Sequence, residues 1–272
     1  MAGLANLVDR QQIERFLRQD AGLHIYEIGD LDPFFWPDTT WYAWRDASSE
    51  VLALALLYGG GGLPVLLALA HEERVLALRD LVSALLPRLP ARVYAHLSAG
   101  LVDLFRPPWE VAHHGLHLKM KMTWKDQDAM ATVAGDDVEH LGAADLASLE
   151  ALYAQAYPGN WFDARMLTTG QYMGIRREGA IVAAGGVHVY STRYRVAALG
   201  NIATLPHFRG RGLARRVVAG LCRSLRTQGI ETLGLNVKAD NVAAVRCYEK
   251  IGFVDIARYD EYMLCLSSRP MT

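Results

Sequence analysis

Positions 209–216 read Arg209, Gly210, Arg211, Gly212, Leu213, Ala214, Arg215, Arg216. The two glycines let backbone approach a ligand with no Cβ in the way. A helical pattern starting at 212 turns its first N–H groups, and about half a positive charge, toward whatever fills the turn. The arginines add long-range attraction, so the chemistry on offer is phosphate binding. Spacing excludes two other phosphate loops. No Gly-Lys-Ser/Thr ends the turn, as a Walker A loop requires, and Arg215 stands where a dinucleotide fingerprint needs its third glycine.

A second constellation follows at 241–253. Asn241, Ala244, Val245 and Tyr248 are spaced three, four and seven apart, so they share one helical face. Ala244 keeps that face low. Asn241 can cap the helix or exchange hydrogen bonds with ligand amides, and the two uses are compatible. Tyr248 can pack as a core ring with a wet hydroxyl, or give a hydrogen bond or a proton to a leaving group.

These elements must be positioned by a fold. In the first half the pattern predicts a helix over 8–17 and strands at 24–28, 41–45, 52–58 and 64–69. A helix over 71–86 follows, stopped by Pro87 and Pro90, then strands at 92–97 and 112–122. The run 51–70 carries no charge and is long enough for a membrane span. Its four glycines at 59–62 and Pro64 instead mark a turn between two buried strands. In the second half Leu146, Leu149, Leu152 and Tyr153 define a helix ended by Pro158-Gly159. Strands at 171–177, 181–190 and 195–204, a helix at 212–227, a strand at 231–237, a helix at 241–250 and strands at 253–257 and 260–266 complete it. This order predicts an α/β (α+β) fold with a mixed, mostly antiparallel sheet flanked by helices. A polar stretch at 124–128 divides the chain into domains at 1–125 and 130–272.

The turn at 209–214 fits Arg/Gln-x-x-Gly-x-Gly/Ala, and 241–253 fits Asn-x-x-Ala-x-x-x-Tyr-x-x-x-Gly-Phe. Both, with the element order of the second half, resemble the GNAT superfamily of N-acetyltransferases. The first half has a comparable series without the glycine turn, so it is read as a degenerate GNAT-like domain. The resemblance implies that Arg209, Gly210, Arg211, Gly212, Leu213 and Ala214 hold the pyrophosphate of acetyl-CoA or another acyl-CoA. It implies that the backbone of Ile202, Ala203 and Thr204 pairs with pantetheine as an added strand, with Asn241 and Ala244 beside that arm. It makes Tyr248 the catalytic group at the departing thiolate. A phenol of pKa about 10 facing a thiol of about 8.5 gives up its proton at a cost of roughly 2 kcal/mol. A hydrogen bond to the sulfur therefore matters as much as the proton itself.

The implied reaction is acyl, in first place acetyl, transfer to a primary amine of a small molecule or peptide, by direct attack in a ternary complex. Many family members carry a glutamate on the strand before the loop. Here 196–204 reads Val-Ala-Ala-Leu-Gly-Asn-Ile-Ala-Thr and has no carboxylate. An α-amine, of pKa about 8, needs little help at neutral pH, whereas a lysine at about 10.4 needs much more. Either the acceptor has a low pKa, or a water chain leads from Tyr157, Asp163, His188 or Asn201. The loop 157–163 sits where the family places its acceptor-binding loop, and its aromatics suit a pocket wall and a core cap equally. Two other functions fit: an enzyme similar to glycine N-acyltransferases using a larger acyl group, and a non-catalytic acyl-CoA sensor whose first half binds a partner protein.

Bulk properties narrow the rest. With 51% hydrophobic residues, 21% charged and a net charge of −1, the chain can bury cores and shows no footprint for nucleic acid or anionic membrane. The three cysteines lack Cys-x-x-Cys spacing, which suggests a reducing, cytoplasmic setting, and the first residues do not read as a signal peptide. His113 and His117 share a strand face, but no Cys or carboxylate joins them, so no metal site is expected. No Gly-x-Ser-x-Gly supports a serine hydrolase. The sequence sets no oligomeric state.

Overall fold

A computed structural model describes residues 3–124, 133 and 135–267. The chain forms two compact units. The first comprises Met1–Lys119, Lys238–Asp240 and Ile256–Thr272, and the second Met120–Val237 and Asn241–Asp255. The polar divide at 125–128 falls outside the described residues. A single cut there differs from the contact division at the end of the chain, because 256–266 packs with the first unit.

In the first unit, β1 (Gly3–Asn6), α1 (Arg10–Leu17) and α2 (Ile25–Gly29) precede β2 (Thr39–Arg45), β3 (Val51–Tyr58) and β4 (Val65–Ala68). Helix α3 (Val75–Leu85) leads to β5 (Arg92–Leu97) and β6 (Trp109–Met122). Strands β1 to β4 pair antiparallel in order, and β4 pairs parallel with β5. The chain's last strand, β12 (Phe253–Leu266), closes the far side of β5, with Leu264 opposite Val93. The core lies between α3 and the sheet: Leu78, Leu81, Val82 and Leu85 cover Tyr42, Ala55, Leu66, Val93, Ala95 and Leu264. The uncharged run 51–70 thus forms β3 and β4. Among the described residues no helix is long and apolar enough to cross a membrane.

The second unit repeats the plan. β7 (Glu139–His140), α4 (Leu146–Ala156), β8 (Met173–Arg177), β9 (Ala180–Ser191) and β10 (Val196–Thr204) are followed by α5 (Leu213–Thr227), β11 (Thr232–Lys238) and α6 (Val242–Glu249). β7 to β10 pair antiparallel, and β10 runs parallel to β11. Helix α4 covers one face through Leu149, Leu152 and Tyr153, which meet Tyr172, Ile181, Ala184 and Ala203. Helix α5 turns in Leu213, Val217, Val218, Leu221, Cys222 and Leu225. The architecture is the mixed sheet with flanking helices expected from the pattern.

Two expectations are corrected. Residues 24–28 alternate like a strand, but form α2, because Ile25 and Ile28 are both buried one turn apart and His24 pairs with Glu27 at 3.1 Å. The strands at 253–257 and 260–266 are one strand, since Tyr259 is buried in the core and Asp260 is already paired with Leu97 of β5. The short β1 and β7 carry too few residues for their alternation to register.

The histidines of β6 meet partners in the first unit. His113 bonds Asp260 at 2.7 Å, the ring of His114 lies 5.3 Å from that of Tyr94, and His117 stands 3.5 Å from Glu261. Glu261 also receives the hydroxyls of Tyr94 and Tyr259 and lies 3.4 Å from His96. Burial pushes the His96 imidazole down to about 4. A histidine kept neutral in the fold but protonated in the unfolded chain favours unfolding as acid is added. The urea midpoint should therefore fall as pH drops from about 6.5 toward 4, and less steeply in His96→Gln. Leu264→Ala should cost about 2–5 kcal/mol and speed hydrogen exchange in β5, although residue 264 lies at the opposite end of the chain.

Candidate functional site

Beyond one pair of residues, two parallel strands of the second unit separate. β10 and β11 are in register from Val196↔Thr232 to Leu199↔Leu235. β10 then runs on to Thr204 and β11 to Lys238 without pairing to each other. At the parting β10 is bulged between Gly200 and Ala203, and Asn201 adopts φ 54°. Asparagine tolerates this left-handed backbone better than most side chains do. Two tyrosines hold it. The Tyr153 hydroxyl donates to the Asn201 carbonyl at 2.9 Å, and the Asn201 amide donates to the Tyr172 hydroxyl at 2.9 Å. The Tyr172 hydroxyl donates in turn to the Met166 sulfur at 3.3 Å. Burial pushes both phenols well above their usual range, so both remain neutral.

Small residues make room at the bulge. A Cβ on Gly200 would stand 2.3 Å from the His188 ring, and one on its partner Gly186 would stand 2.3 Å from Tyr172. Ile202 packs where a Cβ on Gly185 would be, and Ala203 pairs with Ala184. Thr204 pairs with Ala183, and its buried hydroxyl has no partner among the described residues.

The glycine turn lies between β10 and α5. A short 3-10 turn, Pro206–Phe208, leads into Arg209. Gly210 and Gly212 then take φ 76° and 75°, and the space beside both is open. Gly212 gives the helix no side-chain cap. The first helical bond runs from Arg216 N–H to Gly212 O, so the N–H groups of Leu213, Ala214 and Arg215 meet no acceptor among the described residues. The arginine side chains are employed elsewhere. Arg209 donates to the carbonyls of Thr204 and Ala156, each at 3.2 Å, Arg211 lies 5.1 Å over the Phe208 ring, and Arg216 pairs with Asp137. The donor set is therefore backbone N–H at an uncapped helix end. It fits a diphosphate, because its glycines admit close approach and its N–H groups are unspent.

Asn241 caps α6, its side chain accepting from Ala244 N–H at 3.2 Å. Tyr248 is the buried residue of α6, with its ring 6.0 Å from Phe253. Burial, then Cys247 and Tyr157, push its phenol upward. The loop 157–163 divides. Tyr157 and Trp161 are exposed, while Phe162 packs 5.0 Å from Tyr153 and 5.7 Å from Tyr172. Asp163 bonds and pairs with Arg165 at 2.7–2.9 Å, which holds its carboxyl low and makes it a poor base. The structure thus brings Asn201 together with Tyr153, Tyr172 and Met166, and leaves Asp163 to Arg165. The sequence reading assigned no role to Asn236 on β11, whose buried amide oxygen has no partner among the described residues. Its signal was a lone amide in the apolar strand Thr-Leu-Gly-Leu-Asn-Val.

A parted parallel strand pair, a bulge and an uncapped helix behind a glycine turn thus meet in one α/β unit. Residues 138–253 match the Acetyltransferase (GNAT) family, and this part of the chain is a GNAT domain. Ribosomal protein bS18 alanine N-acetyltransferase of Salmonella typhimurium is 47% identical over 57 residues, covering 21% of this chain and 38% of that protein. Mycothiol acetyltransferase of Paenarthrobacter aurescens is 28% identical over 173 residues, covering 61% of this chain and 48% of that protein. The chain thus spans less than half the length of either relative. A tandem GNAT protein from the clavulanic acid biosynthesis pathway shares the fold, with a TM-score of 0.56 and 12% identity across 97% of this chain and 98% of that one.

The crowding at the bulge sets a stability test. Gly200→Ala should displace the His188 ring and cost about 1–3 kcal/mol in urea denaturation. Gly210→Ala meets open space and should cost about 1 kcal/mol or slightly more, from backbone strain alone.

Proposed function

We propose that the chain is an acetyl-CoA-dependent N-acetyltransferase whose second unit carries an acetyl group to a primary amine in a ternary complex. The observation that carries this reading is the parting of β10 from β11 beside the uncapped end of α5. The backbone of 209–214 would hold the pyrophosphate. The free edge at Ile202, Ala203 and Thr204, with Asn241 and Ala244, would hold the pantetheine arm. Bound there, the coenzyme supplies a thioester, an acyl group already activated toward an amine.

The chain's own residues do the remaining work. Tyr248 presents a phenol that burial keeps protonated, which suits it to give a hydrogen bond to developing negative charge rather than to ionise. Neither 196–204 nor 232–238 carries a carboxylate, so the amine should arrive already neutral. That favours an α-amine, of pKa about 8, over a lysine at about 10.4. The alanine acceptor in the name of the Salmonella relative supports the same choice.

Calorimetry with acetyl-CoA and thiol release over an amine panel test the reading. Gly212→Val should weaken coenzyme binding at least tenfold, because a β-branched residue cannot hold φ 75° without strain. Tyr248→Phe should lower kcat at least tenfold with little change in coenzyme affinity. Equal affinity in Gly212→Val would count against the loop, and binding without turnover for every amine would favour a sensor.

A further inference from the structure

The fork between β10 and β11 carries one amide side chain on each strand. Asn201 lies two residues beyond the last paired residue of β10, Leu199, and Asn236 one residue beyond Leu235 on β11. Asn201 is only 3% exposed. One end of its amide meets the Tyr172 hydroxyl, while its oxygen has no partner among the described residues. The Asn236 amide oxygen is likewise buried and unmet. A buried amide oxygen left without a donor costs about 1–3 kcal/mol, and one on each strand just past the parting asks for a ligand or water that supplies hydrogens.

Both amides stand on the same face. Ala198 pairs with Gly234, so two residues further Gly200 and Asn236 point the same way. Gly200 is paired with Gly186, over which Tyr172 lies, and Tyr172 is the residue that grips Asn201. That face belongs to α4, with Phe162 from the 157–163 loop beside Tyr153 and Tyr172. The hydroxyls nearby are committed: Tyr153 donates to the Asn201 carbonyl and Tyr172 to Met166. What remains on offer is a pair of neutral oxygens that accept hydrogen bonds.

We propose that Asn201 and Asn236 form the seat for the acceptor's amino nitrogen, each amide oxygen receiving one of its N–H groups. The proposal rests on the acetyltransferase reading and deepens it. Amide oxygens orient an amine but cannot remove its proton. The seat therefore works on an amine that loses its proton to solvent before attack. At pH 7 about a tenth of an amine of pKa 8 is neutral, against about 0.04% at pKa 10.4. On neutral fraction alone the α-amine of a peptide or amino-acid amide is thus favoured over a lysine side chain by about two hundredfold, with no carboxylate on either strand and the His188 ring, packed against Gly200, as the titratable group at this point. Asn201 and Asn236 are specificity-determining residues in this account, and Tyr172 positions the first of them.

The test uses the full chain labelled with 15N, alanyl-alaninamide as α-amine and Nα-acetyl-lysinamide as side-chain amine. Side-chain amide resonances of Asn201 and Asn236, assigned by their loss in N201G and N236A, should shift as alanyl-alaninamide is titrated. Glycine at 201 keeps the left-handed backbone available, so N201G removes the amide without straining the bulge. Each variant should raise KM for alanyl-alaninamide about tenfold and leave acetyl-CoA affinity within twofold. N236D places a carboxylate at the fork and should narrow the rate ratio between the two amines at pH 7 by tenfold or more. Resonances unmoved at saturating amine, or an unchanged KM in both N201G and N236A, would overturn the seat. Failure of the unsubstituted chain to bind acetyl-CoA would instead remove the acetyltransferase reading, and the resonance titration would still decide whether an amine sits between these amides.

Discussion

The second unit depends on two parallel strands that pair for four residues and then part. Separation inside a sheet leaves backbone N–H and C=O groups without their ladder partners, a cost that buried backbone rarely bears. The chain meets several of these groups with side chains. Tyr153 reaches across from α4 to the carbonyl of Asn201, and Arg209 folds back onto the carbonyls of Thr204 and Ala156. The bulge at 201 turns the strand where pairing stops. The fork is thus held open by the protein's own bonds.

The first unit shows the same plan with the fork shut. There β4 pairs with β5 over its whole length, from Val65↔Tyr94 to Ala68↔Leu97. Past that point Ser98 closes the pair twice over, its hydroxyl accepting from Ala70 N–H at 2.9 Å and donating to Ala70 O at 3.0 Å. The approach to α3 carries Glu72 and Glu73 where the second unit has arginine and glycine, so the positive end of that helix is already met by negative charge. Polar chemistry in this unit lies elsewhere. Tyr94, His96, His117 and Tyr259 surround Glu261, and Lys119 stands 5.0 Å from the Tyr26 ring. Burial costs these charges much unless each finds its opposite or a donor, and here most of them do.

Much of this was legible in the sequence where local rules and tertiary context agree. The glycine turn, the helix behind it, and β5, β9, β10 and β11 were placed within about two residues, because apolar alternation and turn residues coincide there. The strand reading of 24–28 failed since five residues fit both periods, and only the packing of Ile25 and Ile28 decides between them. The role of β12 was hidden for a different reason: which sheet a strand joins is a long-range matter that its own residues do not encode. Residue types singled out the turn and Tyr248 as candidates. They did not reveal that Arg209 and Arg216 serve carbonyls and Asp137, or that Asn236 marks the fork. Those facts depend on where β11 leaves β10.

The electrostatics of the fork follow from what occupies it. Tyr153, Tyr172 and Tyr248 are buried phenols that keep their protons, and the two strands bring amides in place of carboxylates. No fixed negative charge on either strand competes for the end of α5. Attraction for an anion then comes from backbone N–H groups whose directions are set by the turn, and these need no reorganisation when charge appears. If the proposed function holds, such surroundings favour a reaction in which negative charge grows on a departing atom. They disfavour one in which a positive amine must be carried in and stripped of its proton on the spot. On the proposed reading the division of labour is physical: the protein stabilises the charge that leaves, and solvent takes the proton from the group that arrives.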